Sequence, residues 1–169
     1  MRAGTIAVVA AVVVAALVIR VSSFTGLPAM PALGADEFGA AESLTVKLIN
    51  DARLRAGVSP LVVSNRLLLA ARVHSNDMAA DDDLAHESMI GDAPVDRVRS
   101  AGLDYEELAE NLFKDSGPDV DRLPERAIED WLESPTPRAN LLSPRFRTAA
   151  VAIARAVDGS FFVTLDLMR

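Results

Sequence analysis

Cysteine is absent from the 169 residues. That excludes disulfide scaffolds, thiol catalysis, thiolate metal sites and acylation on a cysteine. Aromatics are sparse, with one Trp, one Tyr and six Phe, although half of the chain is apolar. Histidine occurs only as His74 and His86, which limits the imidazoles available to chemistry. Basic residues are the minority: 17 Lys and Arg stand against 24 Asp and Glu. Sequence-independent nucleic-acid binding needs cationic side chains to neutralise phosphates, and this balance excludes it. No polybasic patch is present for anionic lipid headgroups.

One long hydrophobic run is present. Residues 3–19 carry no charge, and Ile6–Ile19 consists of Ala, Val, Leu and Ile alone, bounded by Arg2 and Arg20. As a helix this run spans about 25 Å. Adding Val21 and letting the arginines snorkel brings residues 3–21 close to a bilayer core of about 30 Å. Residues 1–22 therefore read as a signal anchor or a signal peptide. The uncleaved anchor is favoured, because the nearest A-x-A-like site, Ala32-Leu33-Gly34, lies about 13 residues beyond Arg20 and cleavage sites ordinarily follow the apolar region closely. Either reading places the body outside the cytoplasm, held by a single-pass anchor or secreted.

Residues 23–39, with Pro28, Pro31, Gly26 and Gly34 and no periodicity, read as a linker. Residues 40–169 are long enough for one domain with a substantial core. Without residues 1–22, 15 basic and 24 acidic residues leave a formal charge of −9.

Within the body, Phe38, Ala41, Leu44, Leu48, Ala52 and Ala56 recur at helical spacing, with Asp36 as a cap and Gly57 as a stop. Ser59-Pro60-Leu61 reads as a short extended link. Ser64 caps a second helix, with Leu68, Ala71, Ser75 and Met78 on one line and Leu67, Ala70 and His74 beside it. Asp81–Asp83 ends it as a solvated run, without the alternating ligands and glycine turn of a calcium loop. Pro94 to Ala101 gives a short third helix, Glu110–Phe113 a strand, and Leu123–Glu133 a fourth helix with Ala127, Ile128 and Trp131 inward. Strands at 148–157 and 160–167 flank Asp158-Gly159, a hairpin signal. Helices followed by a terminal antiparallel pair predict an α+β domain.

Four stretches, in this order and spacing, resemble the CAP superfamily of cysteine-rich secretory proteins, venom antigens and pathogenesis-related proteins, in its bacterial form. They are Ile49-Asn50-Asp51-Ala52-Arg53 through Pro60-Leu61; Leu69-Ala70-Ala71-Arg72-Val73-His74-Ser75-Asn76-Asp77-Met78 leading to Leu84-Ala85-His86; Asp96-Arg97 through Ala101-Gly102-Leu103 to Ala109-Glu110-Asn111-Leu112; and Trp131 through Ser134-Pro135-Thr136-Pro137-Arg138-Ala139-Asn140-Leu141-Leu142. The resemblance covers residues 40–169 and implies an α-β-α sandwich around a mainly antiparallel sheet. It also implies a cavity whose family pattern holds two histidines and two acids. His86 matches the first histidine and Glu110 the acid of the family's G-E-N motif. The second histidine is replaced by Pro137, the acid three residues after the Trp by Ser134, and the family's T-Q by Thr164-Leu165. Glu133 sits one residue early, about 100° around the helix.

The residues expected to line the cavity are His86, Glu110, Asn111, Trp131 and Arg138. Zinc needs three or four ligands, and one matching His with one matching Glu falls short, so neither metal nor cofactor is expected. His74, on the inner part of its helix, reads as a packed imidazole. A His–Glu pair can act as an oriented general base, which makes His86 and Glu110 the candidates for a residual, protease-like hydrolase. No G-x-S-x-G elbow or other activated nucleophile accompanies them. Trp131 reads chiefly as core, and Arg138 and Asn140 as anchors of a stiff loop after the fourth helix. The resemblance favours a non-enzymatic binding or structural module for a lipid, peptide or cell-envelope component.

Overall fold

The computed structural model describes residues 37–169. The apolar run expected to cross the membrane, most of the linker and the proposed cap Asp36 lie outside the described residues. Among the described residues no helix is long and apolar enough to span a bilayer.

The first helix, α1 (Gly39–Arg55), runs where periodicity placed it, but its buried face differs from the apolar line. Phe38, Glu42, Thr45, Ile49, Ala52 and Arg53 turn inward, whereas Leu44 and Leu48 are half-buried and Ala56 is exposed. Hydropathy misjudged this face because its polar members are buried with specific partners. Thr45 Oγ1 donates to the Ala41 carbonyl at 2.8 Å. Glu42 Oε1 accepts the Ile153 amide at 3.0 Å while its Oε2 meets Arg72 at 2.8 Å. Arg53 is wholly enclosed, donating to the carbonyls of Ser59, Leu141, Ser143 and Phe146. Burial, with Arg147 nearby, draws its pKa below the usual guanidinium value.

The extended link leads into a two-residue strand, β1 (Val62–Val63), which was not anticipated. Ser64 then caps α2 (Asn65–Asp81), accepting the Leu67 amide at 3.2 Å. As expected, Leu67, Ala70, Ala71, His74, Ser75 and Met78 are buried. The helix α3 (Pro94–Ser100) is followed by the strand β2 (Leu108–Asp115), longer at both ends than predicted. A single 3-10 turn precedes α4 (Leu123–Glu133), with Pro124 in its first turn.

The stiff loop expected after α4 is instead a helix, α5 (Pro135–Leu141). Two prolines do not prevent it, because the first amides of a helix have no intrahelical partner and a proline there loses nothing. The chain ends in the hairpin β3 (Thr148–Arg155) and β4 (Phe161–Met168). Its turn is wider than the dipeptide signal implied. The Ala156 carbonyl accepts the Gly159 amide at 3.0 Å, and Gly159 takes a positive φ of 93° before Ser160 resumes pairing. A left-handed glycine after a turn fits the right-handed twist of the strands.

The sheet order is β1-β3-β4-β2, with β1 parallel to β3 and the other pairs antiparallel. The last two strands in the sequence therefore occupy the centre. Alternation sorts their side chains to two faces. Ala149, Val151, Ile153, Phe161, Val163, Leu165 and Leu167 pack with α1 and α4 around Trp131. Ala150, Ala152 and Met168 pack with Leu67, Ala70 and Ala71 of α2 and Val98 of α3, and Ala154 and Phe162 with Met78. Helices thus cover both faces of a mixed four-stranded sheet.

Candidate functional site

The candidate site lies on the α2 face, at the edge strand β2. Glu110 has an apolar residue two places to either side, Leu108 and Leu112, so alternation directs its carboxylate into the same layer. Its side chain is only 2% exposed. One oxygen, Oε1, lies 2.7 Å from His86 Nδ1. The other, Oε2, accepts a hydrogen bond from Arg97 Nη2 at 2.7 Å. The predicted His86–Glu110 pair is therefore formed, and it includes a third partner that the sequence reading had not assigned.

Arg97 reaches the site from α3, whose Pro94 and Asp96 fix the first turn: Asp96 accepts the Ala93 amide at 3.2 Å. It also donates from Nη1 to the Asp92 carbonyl at 2.7 Å and from Nη2 to the His86 carbonyl at 3.1 Å. One guanidinium thus fastens the loop carrying His86 to β2. His86 itself stands at the rim, its side chain 61% exposed.

Two further groups approach Glu110 from below. His74, buried on α2 as expected, places Nε2 3.7 Å from Glu110 Oε1, beyond hydrogen-bond range. Neither of its ring nitrogens has a hydrogen-bond partner. Burial pushes its pKa below the ordinary 6.5, against the opposing pull of Glu110 and of the Ala85 backbone, which lies against the ring just outside hydrogen-bond geometry. Asp166 faces Glu110 across the β2–β4 ladder. Burial first, and then the Glu110 charge and a hydrogen bond to it, raise the Asp166 pKa well above the usual carboxyl value, against the pull of Arg97. Two adjacent buried carboxylates cannot both ionise cheaply, which accounts for the direction of the Asp166 shift.

The remaining candidates do not converge on this point. Asn111 follows Glu110 and so faces the opposite side of the sheet, where its Nδ2 donates to the Pro137 carbonyl at 3.0 Å and its Oδ1 accepts from Asn140 Nδ2 at 2.9 Å. Trp131 is fully buried on that same face and donates its indole N–H to the Leu112 carbonyl at 2.9 Å. That position is core and leaves no ring face for a ligand. Arg138 is exposed on α5 and makes no side-chain hydrogen bond to a described residue. The expected common cavity is thus divided by the sheet, because consecutive β2 residues point to opposite layers. Glu133 is exposed as well, and Pro137 contributes only its carbonyl.

Arg97 and Asp166 were the residues that sequence reasoning missed, whereas His74 was read as a packed imidazole and is one. Asp166 carried a signal, since a charged residue at an inward position of an otherwise apolar strand requires a partner. Arg97 lay within a recognised stretch, but its carboxylate partner is distant in the chain. Among the described residues, no three His, Asp or Glu side chains are arranged to hold a metal ion.

A helix-flanked mixed sheet whose edge strand carries a glutamate paired with a loop histidine points to a CAP-type domain. The family model for the cysteine-rich secretory protein family, CAP, matches residues 46–167, and the chain belongs to that family. It is 32% identical over 105 residues to YkwD of Bacillus subtilis, covering 62% of this chain and 39% of YkwD. An extracellular SCP-domain protein of Bacillus anthracis has a similar structure, with a TM-score of 0.66 and 24% identity over 77% of this chain and 40% of that one. An outer surface protein of Borrelia burgdorferi matches at a TM-score of 0.69 and 14% identity, over 79% of this chain and 95% of its own. The chain spans about two fifths of the two Bacillus relatives.

Proposed function

We propose that this CAP domain acts outside the cytoplasm as a non-enzymatic binding or structural module for a lipid, peptide or cell-envelope component. Residues 3–21 would tether it to the membrane through a single pass, unless cleavage releases it. The observation that carries this reading is the occupancy of Glu110. Both oxygens are engaged, by His86 and Arg97, which makes the carboxylate a structural hub. The buried hydroxyl on the same face, Ser75, donates to the Ala152 carbonyl and contacts Thr164 Oγ1, both at 2.9 Å, and meets neither histidine. An imidazole with no nucleophile beside it has nothing to activate except water. The extracellular and surface placement of two structural relatives supports the proposed location.

One observation favours a second reading, a residual hydrolase. His86 is exposed, with Nδ1 fixed by Glu110, so its Nε2 is directed towards solvent as a general base requires. The two readings separate in the full chain assayed against peptide and ester substrates. The binding reading expects no turnover above that of His86→Ala. Turnover that His86→Ala and Glu110→Gln both abolish would establish the hydrolase instead. Native mass spectrometry of protein extracted from its membrane tests the tether and shows any retained ligand.

A further inference from the structure

The strand β2 meets β4 on one side and no strand on the other. Just outside the two strands, Glu107 and Arg169 exchange both main-chain hydrogen bonds, at 3.3 and 3.0 Å. In an antiparallel ladder such pairs recur at every second residue, so the odd-numbered residues of β2 bond to β4. Leu108, Glu110 and Leu112 therefore turn their own N–H and C=O groups outward. Trp131 agrees with this phase, because its indole N–H reaches the Leu112 carbonyl from outside the sheet. Of these outward groups, that carbonyl alone has a hydrogen bond to a described residue.

The opposite edge of the sheet is closed by side chains. Asn50 exchanges two hydrogen bonds with the amide and carbonyl of Leu61, at 2.7 and 3.0 Å, and Glu42 takes the Ile153 amide. On β2, α4 closes the edge at the Leu112 carbonyl, and no described residue bonds it at Leu108 or Glu110. Glu110 is 8% exposed as a residue and 2% in its side chain, so what solvent reaches there is mainly main chain. Main-chain groups this enclosed are ordinarily paired, and open edges are ordinarily blunted by charge, proline or a covering element. A donor and an acceptor repeating every two residues match a second extended main chain. An acyl chain leaves both unsatisfied. Charge narrows the partner further. The Pro137 carbonyl of α5 is bonded to Asn111, and the next residue, Arg138, is exposed without an ion-pair partner among the described residues. An acidic side chain suits that flank.

We propose that the outward edge of β2, from Leu108 to Leu112, takes up an extended peptide as a further strand, with an acidic side chain towards Arg138 and His86 on the opposite flank. The proposal rests on the binding-module reading and names a peptide as its ligand. Pairing fixes the pattern: peptide residues bonded to β2 lie opposite Leu108 and Glu110 and share their α2 face, and the alternate residues face α5.

The test uses the full chain in detergent micelles, with backbone amide exchange followed by NMR. The probe is the capped pentapeptide Thr-Val-Glu-Val-Thr, with three counterparts: Gln in place of Glu, both valines N-methylated, and the glutamate N-methylated. Saturating peptide should slow exchange at the Glu110 and Leu112 amides by about tenfold or more, and leave Ala109, Asn111 and Phe113, already bonded to β4, unchanged. Methylating the valines removes the amides that face β2 and should abolish binding, whereas methylating the glutamate should not. Arg138→Gln should weaken the parent peptide by about threefold or more and leave the Gln counterpart unaffected. Protection without this alternation, equal binding of the valine-methylated peptide, or no response to Arg138→Gln would overturn the inference. Palmitate displacing the peptide would assign the edge to a lipid, and protection gained on raising the protein concentration alone would assign it to a second copy; either result also overturns it. Turnover dependent on His86 would remove the non-enzymatic reading while leaving the strand addition standing; loss of the alternating protection alone would remove only the strand addition.

Discussion

Glu110 is, among the described residues, the only ion-pair partner of the enclosed Arg97. Glu110→Gln keeps the shape and removes the charge that faces the buried guanidinium, which retains the Asp92 and His86 carbonyls and the neighbouring Asp166. Breaking a buried pair from one side costs about 3–5 kcal/mol, so urea denaturation should show a loss of that order. His86→Ala, by contrast, removes a side chain that is mostly in solvent and should cost about 1 kcal/mol or less. The difference between these two losses measures how far Glu110 serves the fold rather than the rim histidine. Equal losses in the two variants would contradict this division. The pair itself was legible in the sequence as two motif residues. Arg97 and Asp166 were not, because burial and cross-strand register decide their roles; the lone charge of Asp166 in an apolar strand was the one local sign.

At the level of elements, caps and apolar spacing predicted the helices, and they failed where polar side chains are buried. Ser64 is a direct case of success. Ser64→Ala removes the acceptor of the Leu67 amide and should lower stability by about 1 kcal/mol, measurable as a shift in the denaturation midpoint with unchanged slope. A change below a few tenths would mean that water replaces the cap. The boundaries of α4 were readable to the residue because proline, apolar spacing and a terminal serine agreed. The face of α1 was not, since Glu42 and Arg53 are turned inward by an edge amide of β3 and by a set of carbonyls contributed from far along the chain. The α5 helix was hidden by a composition that ordinarily marks a loop, and β1 by its length of two residues. For the site, the same division holds: the residue types were visible, and the layer each one faces depended on the β2 register.

Over the whole molecule, two buried titratable groups tilt stability in opposite pH windows. Asp166 keeps its proton in the folded state above the ordinary value of 3.8. Its contribution is complete below that value and declines as pH rises through the raised folded pKa, where the unfolded chain has already ionised. His74 stays neutral in the fold below the ordinary 6.5. Its contribution is complete above 6.5 and declines as pH falls towards the depressed folded pKa, since the unfolded chain takes up a proton first. Asp166→Asn, which mimics the protonated acid, should flatten the decline above pH 4 and leave the acid-side decline from His74 in place. Urea midpoints across pH 4–8 test this, and an unchanged alkaline slope would show that Asp166 is ionised in the native protein. The placement of β3 and β4 has its own consequence. The spine of the sheet is made last, so the two faces on which the helices settle are incomplete until the final strand is available. A chain ending before Phe161 would retain its helical segments without a platform and expose their apolar sides, making it a substrate for proteases rather than a smaller working domain.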